Sequence, residues 1–278
     1  MNPLLDNWKL GTGVALLAAL IGLPLLGLIV HDSNLAYPLS APIAAAPAWD
    51  YPFGTDASGR DLLAVIMVGT LLTMKIGLIA GVLGVAIGTV LAFLAAYYGG
   101  WTDRIICLTV DVLLSVPGLL VLILIASSIS GGLSTTTMAL VIAALAWREP
   151  TRQIRAQALM MRESNYVLLA RLSGQGNLAI IFKEMIPNLL PYLGACLVAA
   201  VSGAILSSVG LEALGLGARG EPSIGMTIYW MMLEGAFVRG MWWWVFAPVT
   251  ILILLFISLY MLAVGLDEFS NPRLRSIS

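Results

Sequence analysis

Charge is scarce in this sequence. Asp, Glu, Lys and Arg together make up 10% of its 278 residues, against about 25% in soluble domains. With 60% of the residues hydrophobic and a mean hydropathy of +0.97, the chain belongs in lipid. A net charge of −1 provides no basic surface for nucleic acid. There is one histidine, His31, and there are two cysteines, Cys107 and Cys196. Both thiols lie in apolar segments and read as small buried hydrophobes, so no metal site is expected. Lysine is also scarce, and none of the three lysines follows a glycine. The Gly-x-x-x-x-Gly-Lys-Ser/Thr loop that cradles ATP phosphates is therefore absent. No pair of carboxylates accompanies the histidine, which argues against a membrane enzyme.

What is abundant is bilayer-length apolar sequence. A spanning helix needs about 20 apolar residues. Such runs occur at residues 10–30, 69–97, 105–129, 133–147, 188–212 and 242–266, the fourth being short. The expected fold is all-α, a polytopic membrane bundle of about six transmembrane helices. The length of the first run and its weak basic flank argue against a cleaved signal peptide. Lys and Arg mark the cytosolic side. With the N-terminus inside, Lys9, Arg104, Arg148, Arg152, Arg155, Arg162, Arg171, Lys183, Arg273 and Arg275 fall there. Both termini are then cytoplasmic, and so is the long polar connection of about 148–187.

Within the spans, Gly77, Gly81, Gly84 and Gly88 recur at intervals of four, three and four. They share one helix face and let a neighbouring backbone approach closely. Three charges fall inside or near the bilayer, where charge is costly: Asp111, Lys75 and Glu212. Each can snorkel to the nearer interface or pair between helices, Asp111 with Arg104, and each is a gating candidate. Trp242, Trp243 and Trp244 open the last span as an interfacial aromatic belt.

Three loops carry more than connection. In YPFGTDASGRDLL, residues 51–63, the glycines suit a tight turn before a helix. Asp56 can cap local backbone donors there, and Arg60 can pair with Asp56 or Asp61. YYGGWTDR, residues 97–104, is a glycine turn with an Asp–Arg pair. RESNYVLLARLSGQGN, residues 162–177, is a short polar helix between oily spans. Ser164 or Asn165 can cap its start, and Gly174 is placed for a left-handed C-terminal cap. Tyr166, Leu169, Ala170 and Ser173 then line one face, which suits an amphipathic helix laid in a groove.

Together these residues resemble the permease subunits of ATP-binding cassette importers of the oligopeptide, dipeptide and nickel family, specifically the C-type subunit. The family's G-T-D-x-x-G-R-D segment is matched by Gly54, Thr55, Asp56, Gly59, Arg60 and Asp61. Its G-G-W-x-D-R turn is matched by Gly99, Gly100, Trp101, Asp103 and Arg104, and its D-x-x-x-S-x-P run by Asp111, Ser115 and Pro117. R-A-Q follows at Arg155 to Gln157, L-G-L-G at Leu214 to Gly217, and G-L-D-E-x-x-N-P-R-L from Gly265 to Leu274. The resemblance runs from about residue 50 to the end. In such permeases the cytosolic loop has the pattern E-A-A, three residues, Gly, then a dozen residues to Pro. Leu168, Leu169, Ala170, Gly174 and Pro187 occupy those places, so the family's glutamate is replaced by Leu168.

The resemblance implies a type I importer permease fold. It divides the chain into an N-terminal helix with an outer loop (1–68) and a permease core (69–278). It implies alternating access shared with a second homologous permease, and coupling to two cytosolic ATPases through Asn165, Tyr166, Leu169, Ala170, Arg171, Gly174 and Pro187. No cofactor is expected in this chain, since ATP and Mg would sit on the ATPases. A periplasmic or lipid-anchored solute-binding protein would deliver cargo at a bacterial or archaeal inner membrane. Peptides are the family's commonest cargo, with oligosaccharides, opines and nickel as alternatives. A rival of another class is an ion-coupled secondary transporter. Those carriers usually show internal repeats and broken midplane helices, and they want more buried titratable groups than Asp111 and Glu212.

Overall fold

Every regular element among the described residues is helical. The structure is a computed structural model and describes residues 7–129 and 133–270, without the side chains of 269 and 270. The closing family motif is therefore seen only in part, since Asn271 to Leu274 lie outside the described residues. In chain order the helices are α1 (Trp8–Val30), α2 (Leu62–Tyr98), α3 (Gly100–Ser115) and α4 (Gly118–Ser128). There follow α5 (Thr135–Ala146), α6 (Arg148–Arg162) and α7 (Asn165–Leu172). The last three are α8 (Asn177–Ala213), α9 (Ile224–Leu233) and α10 (Trp242–Ser270). Polar side chains set several of the starts: Asn7, Asp61, Ser134 and Ser223 each accept from N–H groups of the first turn.

Among the described residues, four helices are long and apolar enough to cross a membrane: α1, α2, α8 and most of α10. The expected count of six spans is corrected at two places. The third expected span is broken between α3 and α4, which meet at an 82° bend. The cause is Pro117, which pushes Val116 into extended backbone (φ −91°, ψ 131°). The bent pair makes a fifth span if it is counted as one. The fourth expected span is α5, twelve residues and so about 18 Å long, short of the ~30 Å hydrocarbon core. α9, ten residues long, lies in a stretch that was not expected to form an apolar helix.

α2 is the centre of the packing. Its glycine face is real, but it serves two neighbours. A Cβ on Gly81 would lie 2.6 Å from Val201 Cγ2 of α8, and one on Gly77 would overlap Ile205. One on Gly84 would lie 2.9 Å from the Ala146 carbonyl, and one on Gly88 2.9 Å from Pro150 Cβ, at the α5–α6 junction. α1 stands on the far side against α10, where Gly13 and Gly265 bring backbones together. There Asn7 donates to the Gly265 carbonyl (3.3 Å), and Lys9 pairs with Glu268 at 2.5 Å.

At the end where α2 begins, the G-T-D-x-x-G-R-D segment folds into a buried knot. Thr55, Asp56 and Asp61 are fully buried and Arg60 is 5% exposed. Asp56 accepts from the N–H groups of Ser58 and Arg60, and its other oxygen pairs with Arg60 Nε at 2.5 Å. Asp61 does not take the arginine. It caps α2 at Leu63 N and meets His31 Nε2 at 2.5 Å, tying the end of α1 to the start of α2. Gly54 and Gly59 both have φ of +70°, and at each an added Cβ would strike a carbonyl (Ala45 O at 2.8 Å, Ala41 O at 2.6 Å). Of the three tryptophans expected in an interfacial belt, only Trp242 is well exposed. Trp243 donates to the Thr55 carbonyl (3.1 Å), and Trp244 is fully buried with Leu62 and Met241.

Breaking a buried ion pair by removing one partner costs about 3–5 kcal/mol. Asp56→Ala strands the Arg60 guanidinium, so the purified protein in detergent should melt at a clearly lower temperature and be recovered in smaller amount. An unchanged melting temperature would contradict a supporting role for this pair.

Candidate coupling site

The opposite end of the bundle carries α6, α7 and the start of α8. α6 lies along α2 and buries Pro150, Thr151, Ile154 and Ala158. Its arginines Arg148, Arg155 and Arg162 are seven residues apart, so they stack on one side, two turns from each to the next. Each pins a helix end. Arg148 donates to the Leu113 carbonyl near the end of α3 (2.5 Å). Arg155 grips Asp103 at the start of α3 through two bonds, 2.5 and 2.7 Å, the strong fork geometry of arginine with carboxylate. Arg162 donates to the Ala96 carbonyl in the last turn of α2 (2.8 Å). Asp103 thus pairs with Arg155 rather than with its neighbour Arg104, whose guanidinium lies over the Trp101 ring at 5.8 Å. The seven-residue spacing of these arginines is the sequence signal for this side of α6.

α7 follows after a two-residue break. Ser164 stands at its N-cap, but its hydroxyl donates back to the Met161 carbonyl (2.5 Å) and caps nothing. The C-terminal end is as expected. Gly174 has φ +76°, its N–H reaches the Arg171 carbonyl (3.0 Å), and Gln175 N reaches Ala170 O (3.2 Å). Those two bonds form a Schellman cap. Arg171 lies over the Tyr97 ring (5.4 Å) at the end of α2, and the Tyr97 hydroxyl donates to Asn177 Oδ1 (2.9 Å). Tyr97 therefore holds α7 and α8 to α2 together, a role that nothing in its local sequence announces.

The face of α7 departs from expectation. Ala170 is 6% exposed and Val167 fully buried, packed in the chain's own core with Ile180 and Ile181. Tyr166 is half-buried against the same core. Facing away are Leu168, Leu169 and Leu172, at 53%, 63% and 76% exposure. Asn165 and Arg171 are also exposed. Pro187 does not end the segment, because the helix runs from Asn177 through it to Ala213. Just before the proline, residues Ile181–Met185 widen into a π turn, with Ile186 N bonded to Ile181 O. A wider turn accommodates a ring that has no N–H and would crowd the preceding carbonyl.

The three intramembrane charges are scattered. Lys75 sits thirteen residues into α2, about 20 Å along, and is exposed at mid-helix rather than at the rim. Asp111 lies 3.9 Å from Arg152, not near Arg104, with both side chains largely exposed, a pairing worth about 1 kcal/mol or less. Glu212 does not snorkel. It is 2% exposed, roofed by Gly217 and Gly225, and its Oε2 has no hydrogen-bond partner among the described residues. None of the three borders the open cleft of about 250 Å³ between α4, α5, α6 and α8, whose walls include Leu122, Ile142, Arg148 and Ser207.

The two sides of α7 should respond differently to the same charge. Ala170→Asp buries an unpaired carboxylate, a loss on the order of 3 kcal/mol or more. Leu169→Asp, on the exposed side, should stay within about 0.5 kcal/mol. Thermal melts of the two variants check this, and equal melting temperatures would reverse the assignment of faces.

The family profile described as binding-protein-dependent transport system inner membrane component matches residues 76–276. A Brucella suis protein described as a peptide permease is 32% identical over 267 residues, covering 92% of this chain and 87% of that protein. The dipeptide transport system permease protein of Haemophilus influenzae is 31% identical over 277 residues, covering 92% and 91%. The oligopeptide transport system permease protein of Mycobacterium tuberculosis is 29% identical over 232 residues, covering 83% and 79%. The multi-pass bundle and its packed polar connection are those of a translocation subunit, and the chain belongs to the family of inner membrane components of binding-protein-dependent transport systems.

Proposed function

We propose that this chain and a second, related permease form the path of an ATP-driven importer of di- and oligopeptides, with both termini and α7 in the cytosol. The observation that carries the coupling role is the exposed trio Leu168, Leu169 and Leu172 on a helix whose other side is anchored. Monomers rarely leave adjoining large apolar side chains facing water without a partner, and a short helix pressed into a groove is a common recognition mode. The chain has no phosphate loop of its own, so a separate ATPase fits that groove. At the place of the family's glutamate stands Leu168, which makes the contact apolar. Arg155, Arg162 and Arg171 would carry a push on α7 directly to α2 and α3. The peptide cargo rests on the relatives described as peptide, dipeptide and oligopeptide permeases.

Two experiments test this. The complex reconstituted in vesicles with its ATPases and solute-binding protein should take up labelled dipeptide only with ATP. Uptake driven by a proton or sodium gradient alone would replace the reading with a secondary carrier. Leu169→Asp should lower ATPase co-purification at least several-fold while the permease stays folded, and full recovery of the ATPases would remove α7 as the contact. For the topology, a cysteine introduced at Ser58 should react with an impermeant maleimide in intact cells and one at Gln175 should not. The opposite pattern would invert the orientation.

A further inference from the structure

We infer that a small pocket beside the G-T-D-x-x-G-R-D knot binds a short zwitterion, a molecule with one ammonium and one carboxylate group, as free amino acids and dipeptides have. This deepens the peptide reading and rests on it for its place in uptake. The pocket lies between the loop that follows α1 and the loop that precedes α9. Its volume is about 170 Å³, and Tyr37, Arg60, Arg219, Glu221 and Trp230 line it. Pockets for drug-sized ligands run to about 300–1,000 Å³, so the occupant is small, or is one end of a longer chain.

A buried arginine and a half-buried glutamate border this space, each with a buried side-chain atom whose bonding capacity is unused. Arg60 is 5% exposed, and its Nε is committed to Asp56. Its Nη2 is buried and has no partner among the described residues. Glu221 is held by its backbone, its N–H donating to Ala218 O (3.0 Å) and its carbonyl accepting from Ser223 N (2.9 Å). Its side-chain Oε2 is likewise buried without a partner. Leaving such atoms unmet is costly, more so when they are charged. A ligand that meets both gains what the fold leaves unsatisfied.

Charge balance selects the kind of ligand. Arg60 and Arg219, the latter at the exposed rim, carry positive charge and Asp56 and Glu221 carry as much negative charge, so the site is neutral overall. A lone anion or cation would leave one side unmatched, whereas a zwitterion matches both. Its carboxylate suits the guanidinium groups, which present paired donors to two oxygens. Its ammonium suits Glu221, and the Trp230 and Tyr37 rings offer apolar surface to whatever lies between.

The test uses the assembled complex, both permeases with their ATPases, in nanodiscs without the solute-binding protein. Binding is read by calorimetric titration and thermal shift with alanine, Ala-Ala and the doubly blocked N-acetyl-Ala-Ala-amide. Ala-Ala should bind, and the blocked peptide should bind at least about tenfold more weakly, since it lacks both charges. Glu221→Gln and, separately, Arg219→Gln should each weaken Ala-Ala by about tenfold or more, with the unliganded melting temperature kept. Alanine matching Ala-Ala assigns the site to any α-amino acid, and alanine binding more weakly assigns it to peptides; both uphold the zwitterion site. Equal binding of the blocked peptide, no binding of Ala-Ala, or no effect of either variant overturns it. ATP-driven dipeptide uptake is measured in parallel. Uptake without this binding removes the pocket alone, and binding without uptake removes the transport reading alone.

Discussion

The structure depends on one face of α2 that has no side chains. Four glycines, Gly77, Gly81, Gly84 and Gly88, let α8 and the α5–α6 junction lie against its backbone, and a single added Cβ at any of them would collide. In lipid, helices gain little by hiding apolar surface from apolar surroundings, so close packing has to supply the association. A smooth face shared by two neighbours does this and fixes both at once. Helix α2, at 37 residues, is about 55 Å long. It therefore reaches from the buried Asp56–Arg60 knot at one end to Tyr97 at the other.

The two ends are built differently. At the α1–α2 turn, charge is consumed inside the fold: Asp56 by Arg60 and by backbone donors, Asp61 by His31 and the start of α2. At the α6–α7 end, charge is spent between helices: Arg148, Arg155 and Arg162 each hold a terminus of α2 or α3 from outside. The first arrangement resists movement because its members are buried and multiply bonded. The second joins separate rods through one arginine at each contact, nearer the surface.

Much of this was legible in the sequence because it is local. The long apolar runs, the glycine spacing and the left-handed Gly174 all follow from neighbours within a turn or two. Other features were closed to such reading because their causes lie far along the chain. Asp103 meets Arg155 across 52 residues, so the adjacent Arg104 looked like its partner. Ala170 is small and apolar and does not declare which way it faces. Only Ile180 and Ile181 behind it decide that. Glu212 looked free to snorkel because nothing local announces that α9 folds over it. Pro117 was in plain view within a family motif, but an uninterrupted apolar run hid the bend it makes.

The π turn before Pro187 has a consequence for orientation. A π turn holds one residue more than the α-helical turn it replaces, and each residue of an α-helix advances by about 100° and 1.5 Å. Everything on the N-terminal side of Ile181, including α7 and its leucines, is therefore set about 100° around the axis from where an unbroken helix would aim it. The proline keeps the extra residue from annealing out, because it has no N–H with which to close the tighter turn. A ring in α8 thus sets the azimuth of a helix some fifteen residues upstream, and with it the compass direction in which α7 presents its leucines.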